Sequence, residues 1–437
     1  MRMLSKLLAV TAAAGATTLL VVGPATADPL SNPSLTTLAG AGSDTVTPLF
    51  DNGTTAQPKG NAPGTFIHDY NATKPANKVA SWDAVDPKTG VAGLTITTKA
   101  ASSSDTSCQM PRPDGSSAGI LALNANQKDT HSVSGQSAIY CLDYARSSRA
   151  PNTTTMNNDA FVQFARDALA WSFPKISGQT NPQPKAMNLT DLQNIYTCKW
   201  TNWNQIPGDS HNAPIGVVIP QNGSGSRSSW LLQLGITATD EPCWQNGTVV
   251  VGGTTDVIEE NTGLSPGNVA QFTKSQKFPD GQTIAPQDDI FPYSIGDFIA
   301  QSAAAHGVGG HASSIWGHGN LTLGKTDSGT TAEAPTAKNA TGQTIINPKF
   351  PAHFFRTLYA VTRNSCFVSS SPTGTAVCLP TTTPPSGGTA YPQYEAAGLK
   401  AFLGTGGWVC KNATAAKDIV SYGFTKASSC GKLTAGD

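Results

Sequence analysis

Hydrophobic positions in this chain come in short bursts between long polar stretches, and two different periods alternate along it. The runs GVVIPQ at 216–221 and TLYAVTR at 357–363 read as short strands. LTDLQNIY at 189–196 reads as a helix, with Thr190 and Gln193 as a capping box and Leu192, Ile195 and Tyr196 on one face. SIGDFIAQSAAA at 294–305, EAAGLKAFL at 395–403 and ATAAKDIVSYG at 413–423 are further helical patterns. Loops rich in Thr, Pro, Gly and Ser separate them at 51–64, 322–345 and 371–393. Strands and helices therefore alternate, which is the signature of an α/β fold. FVQFARDALAW at 161–171 fits strand and helix equally well by period. No internal repeat is visible, and the length suggests two or three domains.

The amino terminus changes the picture from fold to compartment. Arg2 and Lys6 precede the apolar stretch LLAVTAAAGATTLLVV, and Pro24-Ala25-Thr26-Ala27 follows. A charged start, an apolar centre and an A-x-A site predict a signal peptide at 1–27, cleaved after Ala27. A single membrane anchor is the other reading, but the stretch is short and rich in small residues for a span of about 20. No Cys stands at the cleavage site to carry a lipid, so the expected location is secreted or extracytoplasmic. Eight cysteines agree with export. Pairing between sequence neighbours predicts disulfides 108–141, 198–243, 366–378 and 410–430. No C-x-x-C pair or zinc-type spacing exists, so no metal is expected.

Charge removes several function classes. The 437 residues carry 28 Lys+Arg against 28 Asp+Glu, only 13% of the chain. Loss of the first 27 residues leaves 26 basic and 28 acidic residues, a net charge of −2. Nucleic acid and polybasic membrane attachment both need clustered Lys and Arg, and neither is expected here. The surface must be built from Ser, Thr, Asn, Gln and the 43 glycines. No feature calls for a cofactor or an oligomer, and a monomer is expected.

Three segments share one design. Gly40-Ala41-Gly42-Ser43-Asp44-Thr45 leads into VTPLF, Gly115-Ser116-Ser117-Ala118-Gly119 into ILAL, and Gly223-Ser224-Gly225-Ser226-Arg227 into SSWLLQL. Each places hydroxyls and small residues at a helix start, where unpaired N–H groups and the helix dipole favour an anion without any lysine. Any one of them reads as ordinary helix capping; together they read as a shared anion site. A fourth segment, Asp143-Tyr144-Ala145-Arg146-Ser147-Ser148-Arg149-Ala150-Pro151, sets two guanidinium groups beside two serines. It suits an oxyanion, or equally a solvated surface loop.

These segments, in this order, resemble the substrate-binding proteins of phosphate ABC importers, a branch of the type II periplasmic-binding-protein fold. The GAG-x-T-like loop is GAGSDT at 40–45, the GSS-G start is GSSAG at 115–119, and the D-F-x-x-S-x-x-P segment is DYARSSRAP at 143–151. IYTCKWTNWNQI at 195–206 resembles the T-N-W-N turn, GSGS at 223–226 the GSGT loop, and FPAHFFRTLYAVTRN at 350–364 the returning hinge strand. AFLGTGGWVCKNATAAKDIVSYGF at 401–424 resembles the closing helices, so the likeness spans nearly all of the chain after residue 27.

The resemblance implies two α/β lobes joined by two crossover strands, with the anion between them. Lobe one would be 28–158 plus 358–437 and lobe two 159–357, with 161–171 as the outgoing hinge strand. The implied ligand contacts are Asp44, Thr45, Ser116, Ser117, Ser147, Ser148, Arg149, Ser224, Gly225 and Ser226, and Arg227 follows them directly. Two departures stand out. The family's carboxylate in the third segment, which accepts the proton of monohydrogen phosphate, is replaced by Ser148 or Arg149. The arginine usual before GSGT aligns with Pro220. Asp44 stands where a threonine is common, and either takes over proton acceptance or caps a helix; the choice between phosphate and sulfate turns on it. The implied partners are inorganic phosphate or a related oxyanion and an ABC permease, with no catalysis.

Two other classes stay open. A secreted hydrolase has Ser, Asp and seven histidines available, including His306, His311 and His318, but lacks a G-x-S-x-G elbow and H-E-x-x-H. A cell-surface protein that keeps the fold without transport fits the Thr/Pro/Gly-rich insertions. Trp200 and Trp203 read as packing under a turn rather than sugar stacking, and Trp230 as core.

Overall fold

In the computed structural model the described residues are 28–29, 33–51, 63–86, 91–125, 128–129, 139–151, 159–174, 186–251, 254–261, 275–302, 321–327, 329, 331–363 and 393–434. The expected signal peptide, the 366–378 disulfide and the three loop histidines lie outside them.

One mixed sheet of ten strands runs through the described chain. Its main path is Trp244–Asn246, Gly216–Ile219, Asp289–Ser294, Asp159–Pro174, Phe355–Arg363, Tyr144–Ser147, Leu38–Gly42 and Val79–Ser81. Both ends are parallel: Leu38–Gly42 pairs with Val79–Ser81 and Tyr144–Ser147, and Gly216–Ile219 pairs with Trp244–Asn246 and Asp289–Ser294. The centre is antiparallel, where Phe355–Arg363 pairs with Asp159–Pro174 from Phe355↔Ala168 to Arg363↔Asp159.

The strand Asp159–Pro174 resolves the ambiguous period of FVQFARDALAW. Its pattern is buried at almost every position because both of its faces are covered. Alternation, the usual mark of a strand, is erased by that double burial. GVVI at 216–219 is buried throughout for the same reason.

The core divides along this strand. Val162, Phe164 and Ala165 pack with Leu38, Phe50, Phe66, Leu358, Phe402 and Ile419 on one side of the molecule. Ala168 to Trp171 pack with Leu192, Trp203, Val217, Trp230 and Ile290 on the other. The two halves, each with its own core, are linked by Asp159–Pro174 and Phe355–Arg363. Trp203 and Trp230 are wholly buried in the second core.

Helices expected from the pattern are present as Leu189–Tyr196, Ile295–Gln301, Gln393–Leu403 and Ala413–Ser421. The first keeps Leu192, Ile195 and Tyr196 buried on one face, but its capping box is Asn188 with Asp191, not Thr190 with Gln193. Asn188 accepts from the Asp191 N–H, and the Asp191 carboxylate accepts from the Asn188 N–H. Asparagine is at least as good a cap as threonine, so the helix begins one residue ahead of Thr190. The stretch 322–345, expected as loop, carries paired strands at Thr326–Asp327 with Ala332–Glu333 and at Thr336–Lys338 with Thr344–Ile346. Its threonines fit a pleated hairpin as well as a loop, and composition alone did not separate the two.

Three disulfides join Cys108 to Cys141, Cys198 to Cys243 and Cys410 to Cys430, as neighbour pairing predicted. They close loops of 33, 45 and 20 residues. Loss of Cys198–Cys243, as Cys198→Ser with Cys243→Ser, is expected to cost about 2–5 kcal/mol. Denaturant melts of the double variant beside the oxidised wild type measure this; coincident midpoints would contradict it. No helix among the described residues is long and apolar enough to cross a membrane.

Candidate functional site

The strand Leu38–Gly42 delivers Ser43, Asp44 and Thr45 to its carboxyl end, ahead of a single helical turn, Thr47–Phe50. Arg146 fixes this loop from beneath. It is wholly buried, and its guanidinium donates to Ser43 O, Gly42 O, Trp82 O, Thr47 Oγ1 and Ser81 Oγ. From the other half, Gly216–Ile219 leads to Ser224, which caps the helix Gly225–Gln233 by accepting from the Arg227 N–H.

The two loops meet across a seam of small residues. The Ser117 N–H donates to Gly223 O at 2.9 Å. A Cβ on Gly225 would stand 2.2 Å from both Ser116 Oγ and Ser148 Oγ, so only glycine lets the halves approach this closely. The Ser148 N–H donates to Ser116 Oγ at 3.0 Å, and Ser43 Oγ lies 3.0 Å from Ser148 Oγ.

At the centre of the seam lies a carboxylate, that of Glu260, with no exposed surface. Its Oε1 accepts from Ser43 Oγ at 2.9 Å, Thr45 N at 3.1 Å and Thr45 Oγ1 at 2.9 Å. Its Oε2 accepts from Ser226 N at 2.9 Å and from Ser224 Oγ. Five donors, two hydroxyls and a backbone N–H on one oxygen and one of each on the other, thus converge from both halves on one anion.

Arg356, on the strand Phe355–Arg363, stands one hydroxyl away. It donates to Thr45 Oγ1 at 3.3 Å, to Ser226 Oγ at 3.0 Å and to Ser148 O at 3.2 Å. Its other edge holds Asp167 Oδ2 through Nε at 3.0 Å and Nη2 at 2.8 Å. Burial pushes the Glu260 carboxyl upward, but Arg356 and the donors from Ser224, Ser226 and Thr45 outweigh it and hold it below its ordinary value. Glu260 therefore stays ionised, and its contribution to stability is lost only as pH falls through that lowered value.

Not all of the expected contacts reach the anion. Thr45, Ser224 and Ser226 touch the anion; Ser116, Ser148 and Gly225 form the wall beside it. Ser147 closes a tight turn onto Arg149 O and N. Ser117 and Arg149 line a groove of about 710 Å³ with Arg166, Arg356 and Tyr359. Arg227 packs inward and donates to Pro220 O, Thr239 O and Asn246 Oδ1. The guanidinium is thereby committed to second-half structure.

Asp44 neither touches Glu260 nor caps a helix with its side chain. Its carboxyl shares the Gln221 amide with Asp114 and Glu259: Gln221 Nε2 lies 3.3 Å from Asp44 Oδ2, 2.9 Å from Asp114 Oδ1 and 2.7 Å from Glu259 Oε2. The three acids offer oxygens within 4.8 Å of one another, a spacing that suits a cation as well as a shared proton. Burial first, then repulsion from neighbouring carboxylates, pushes Asp44 and Glu259 well up; burial also pushes Asp114 up, against the lowering effect of its hydrogen bonds to Gln221 and Glu259. Folded protein then binds protons that the unfolded chain has released, so stability falls as pH rises above the ordinary carboxylate range of about 4. Asp44→Asn is expected to flatten that fall and to melt higher than wild type at about pH 8. Parallel pH-dependent melts of the two proteins would contradict it.

Glu260 and Arg356 were not visible as site residues in the sequence. Neither lies in a Gly/Ser loop. The signals available were the single Glu-Glu pair in a chain only 13% charged and an arginine near the start of the expected strand segment FRTLYAVTR.

None of the curated proteins matches this chain. Among solved structures, a Clostridium perfringens chain assigned as a phosphate ABC transporter substrate-binding protein, with phosphate bound, is 14% identical; the match covers 90% of this chain and 100% of that one at a TM-score of 0.44. An ABC-type phosphate transport receptor from Vibrio cholerae is 15% identical over 89% and 99% of the two chains, at 0.40. PstS from Borrelia burgdorferi is 17% identical over 89% and 98%, at 0.36. The model of the PBP superfamily domain matches residues 27–344, well over half of the chain, and the protein belongs to that superfamily.

Proposed function

We propose that the protein captures a tetrahedral oxyanion, inorganic phosphate first, between its two halves. The observation that carries this reading is the five-donor cradle: its donors already hold an anion, the Glu260 carboxylate, in full isolation from water. Hydrogen bonds to a charged group contribute about 1.5–3 kcal/mol each, so five of them supply about 8–15 kcal/mol, and the Arg356 guanidinium adds to this against the association costs that a ligand of roughly 8 kcal/mol must also meet. A neutral chain can therefore bind a dianion without lysine. The lobes in this reading are 28–158 plus 358–437 and 159–357, hinged on Asp159–Pro174 and Phe355–Arg363, and closure removes the ligand from solvent. The groove lined by Arg149, Arg166 and Arg356 is the approach.

The supporting comparisons are with proteins named for phosphate transport or binding. Handing the anion to an ABC permease, and secretion through cleavage after Ala27, belong to the same reading. Calorimetry of the purified protein with phosphate and with sulfate at neutral pH tests it. Heat and a raised melting temperature with phosphate are expected; neither effect with either anion would sink it.

A second reading, a protein that keeps the fold without a ligand, is favoured by one observation: Glu260 supplies the anion that the cradle requires. Its mark would be a purified chain indifferent to both oxyanions.

A further inference from the structure

We propose that Glu260 is a built-in competitor, an internal carboxylate that closes the cradle in place of the ligand and must leave before an oxyanion can enter. The inference rests on reading the cradle as an anion site and adds how that site is regulated. Three features carry it. The Glu260 oxygens take the donors of Ser43, Thr45, Ser224 and Ser226, leaving no second anion a place among them. The donors come from both halves, so the carboxylate ties the molecule shut without a ligand. The side chain reaches the cradle from the turn at 260–261, which follows the paired strands Thr248–Val251 and Thr254–Val257, an element outside the central sheet.

A carboxylate is planar and carries two oxygens, whereas phosphate brings four and up to two charges. The same five donors plus Arg356, freed to close directly on the ligand, favour the larger anion once the side chain is out. Binding is then an exchange of one anion for another, and the apparent affinity is lowered by the fraction of molecules with Glu260 seated.

The test is calorimetric titration of wild type, Glu260→Ala and Glu260→Gln with inorganic phosphate, beside small-angle scattering of each without phosphate. Glutamine keeps the volume but presents an amide N–H to a cradle of donors, so it vacates the site with less disturbance than alanine. Both variants are expected to bind phosphate about tenfold or more tightly than wild type, and to be more expanded than wild type in its absence. Weaker binding than wild type would make Glu260 a contact of the ligand; it would overturn the competitor and leave capture standing. A silent wild type with binding variants would uphold the competitor and overturn capture by the intact chain. Binding of phosphate by none of the three would overturn both.

Discussion

Arg356→Ala is expected to abolish detectable phosphate binding and to destabilise the protein by about 3–5 kcal/mol, the range for breaking a buried ion pair from one side. The guanidinium is shared between Asp167, held through two nitrogens, and the hydroxyls of Thr45 and Ser226 that line the cradle. Its removal leaves Asp167, wholly buried, and Glu260 without a compensating charge. Arg356→Lys keeps the charge but loses the fork, since an ammonium cannot hold Asp167 Oδ2 and two hydroxyls in one plane. It should fold better than the alanine variant and bind phosphate weakly. The double variant Arg356→Met with Asp167→Leu separates the two roles. Replacing both partners restores much of the stability while binding stays lost. Restored binding in that variant would remove Arg356 from the site. Thermal melts and calorimetry on the three proteins provide the readings.

Arg146→Met is expected to destabilise the protein strongly, at about 1–3 kcal/mol for each buried acceptor left unsatisfied, and to loosen the loop that carries Ser43 and Thr45. Five acceptors in the first half, two of them carbonyls of the GAGSDT loop, lose their donor. Asp44, Asp51 and Asp83 lose a cation that lowers their pKa values against burial. Without it those carboxyls rise further, so the fall in stability with rising pH should continue to higher pH in the variant than in wild type. Denaturant unfolding followed from about pH 5 into the alkaline range measures the difference. A gap between wild type and variant that stays constant over the whole range would contradict this electrostatic role.

These two arginines show where the sequence could be read and where it could not. The Gly/Ser loops were legible because small residues at a helix start have a local meaning: Thr45, Ser224 and Ser226 needed only their own segments to be singled out. Arg356 and Glu260 have no such local sign. Their roles arise from pairings 311 and 215 residues away in the chain, to Thr45 in both cases. Arg149 and Arg227 mislead for the complementary reason: an arginine beside a serine loop points toward the anion only if the backbone aims it there. Arg227 follows its helix start and turns back onto Pro220 and Asn246 instead. The fold was easier. Helix faces and the strand GVVI follow from period and burial, whereas Asp159–Pro174 was hidden because a strand covered on both faces keeps no period.

A crystal structure of the protein grown with phosphate shows which anion occupies the cradle. Expected is a tetrahedral anion among Ser43, Thr45, Ser224, Ser226 and Arg356, with the Glu260 carboxylate swung out of the seam. Glu260 still seated on the same five donors at saturating phosphate, with the anion elsewhere or absent, would contradict it.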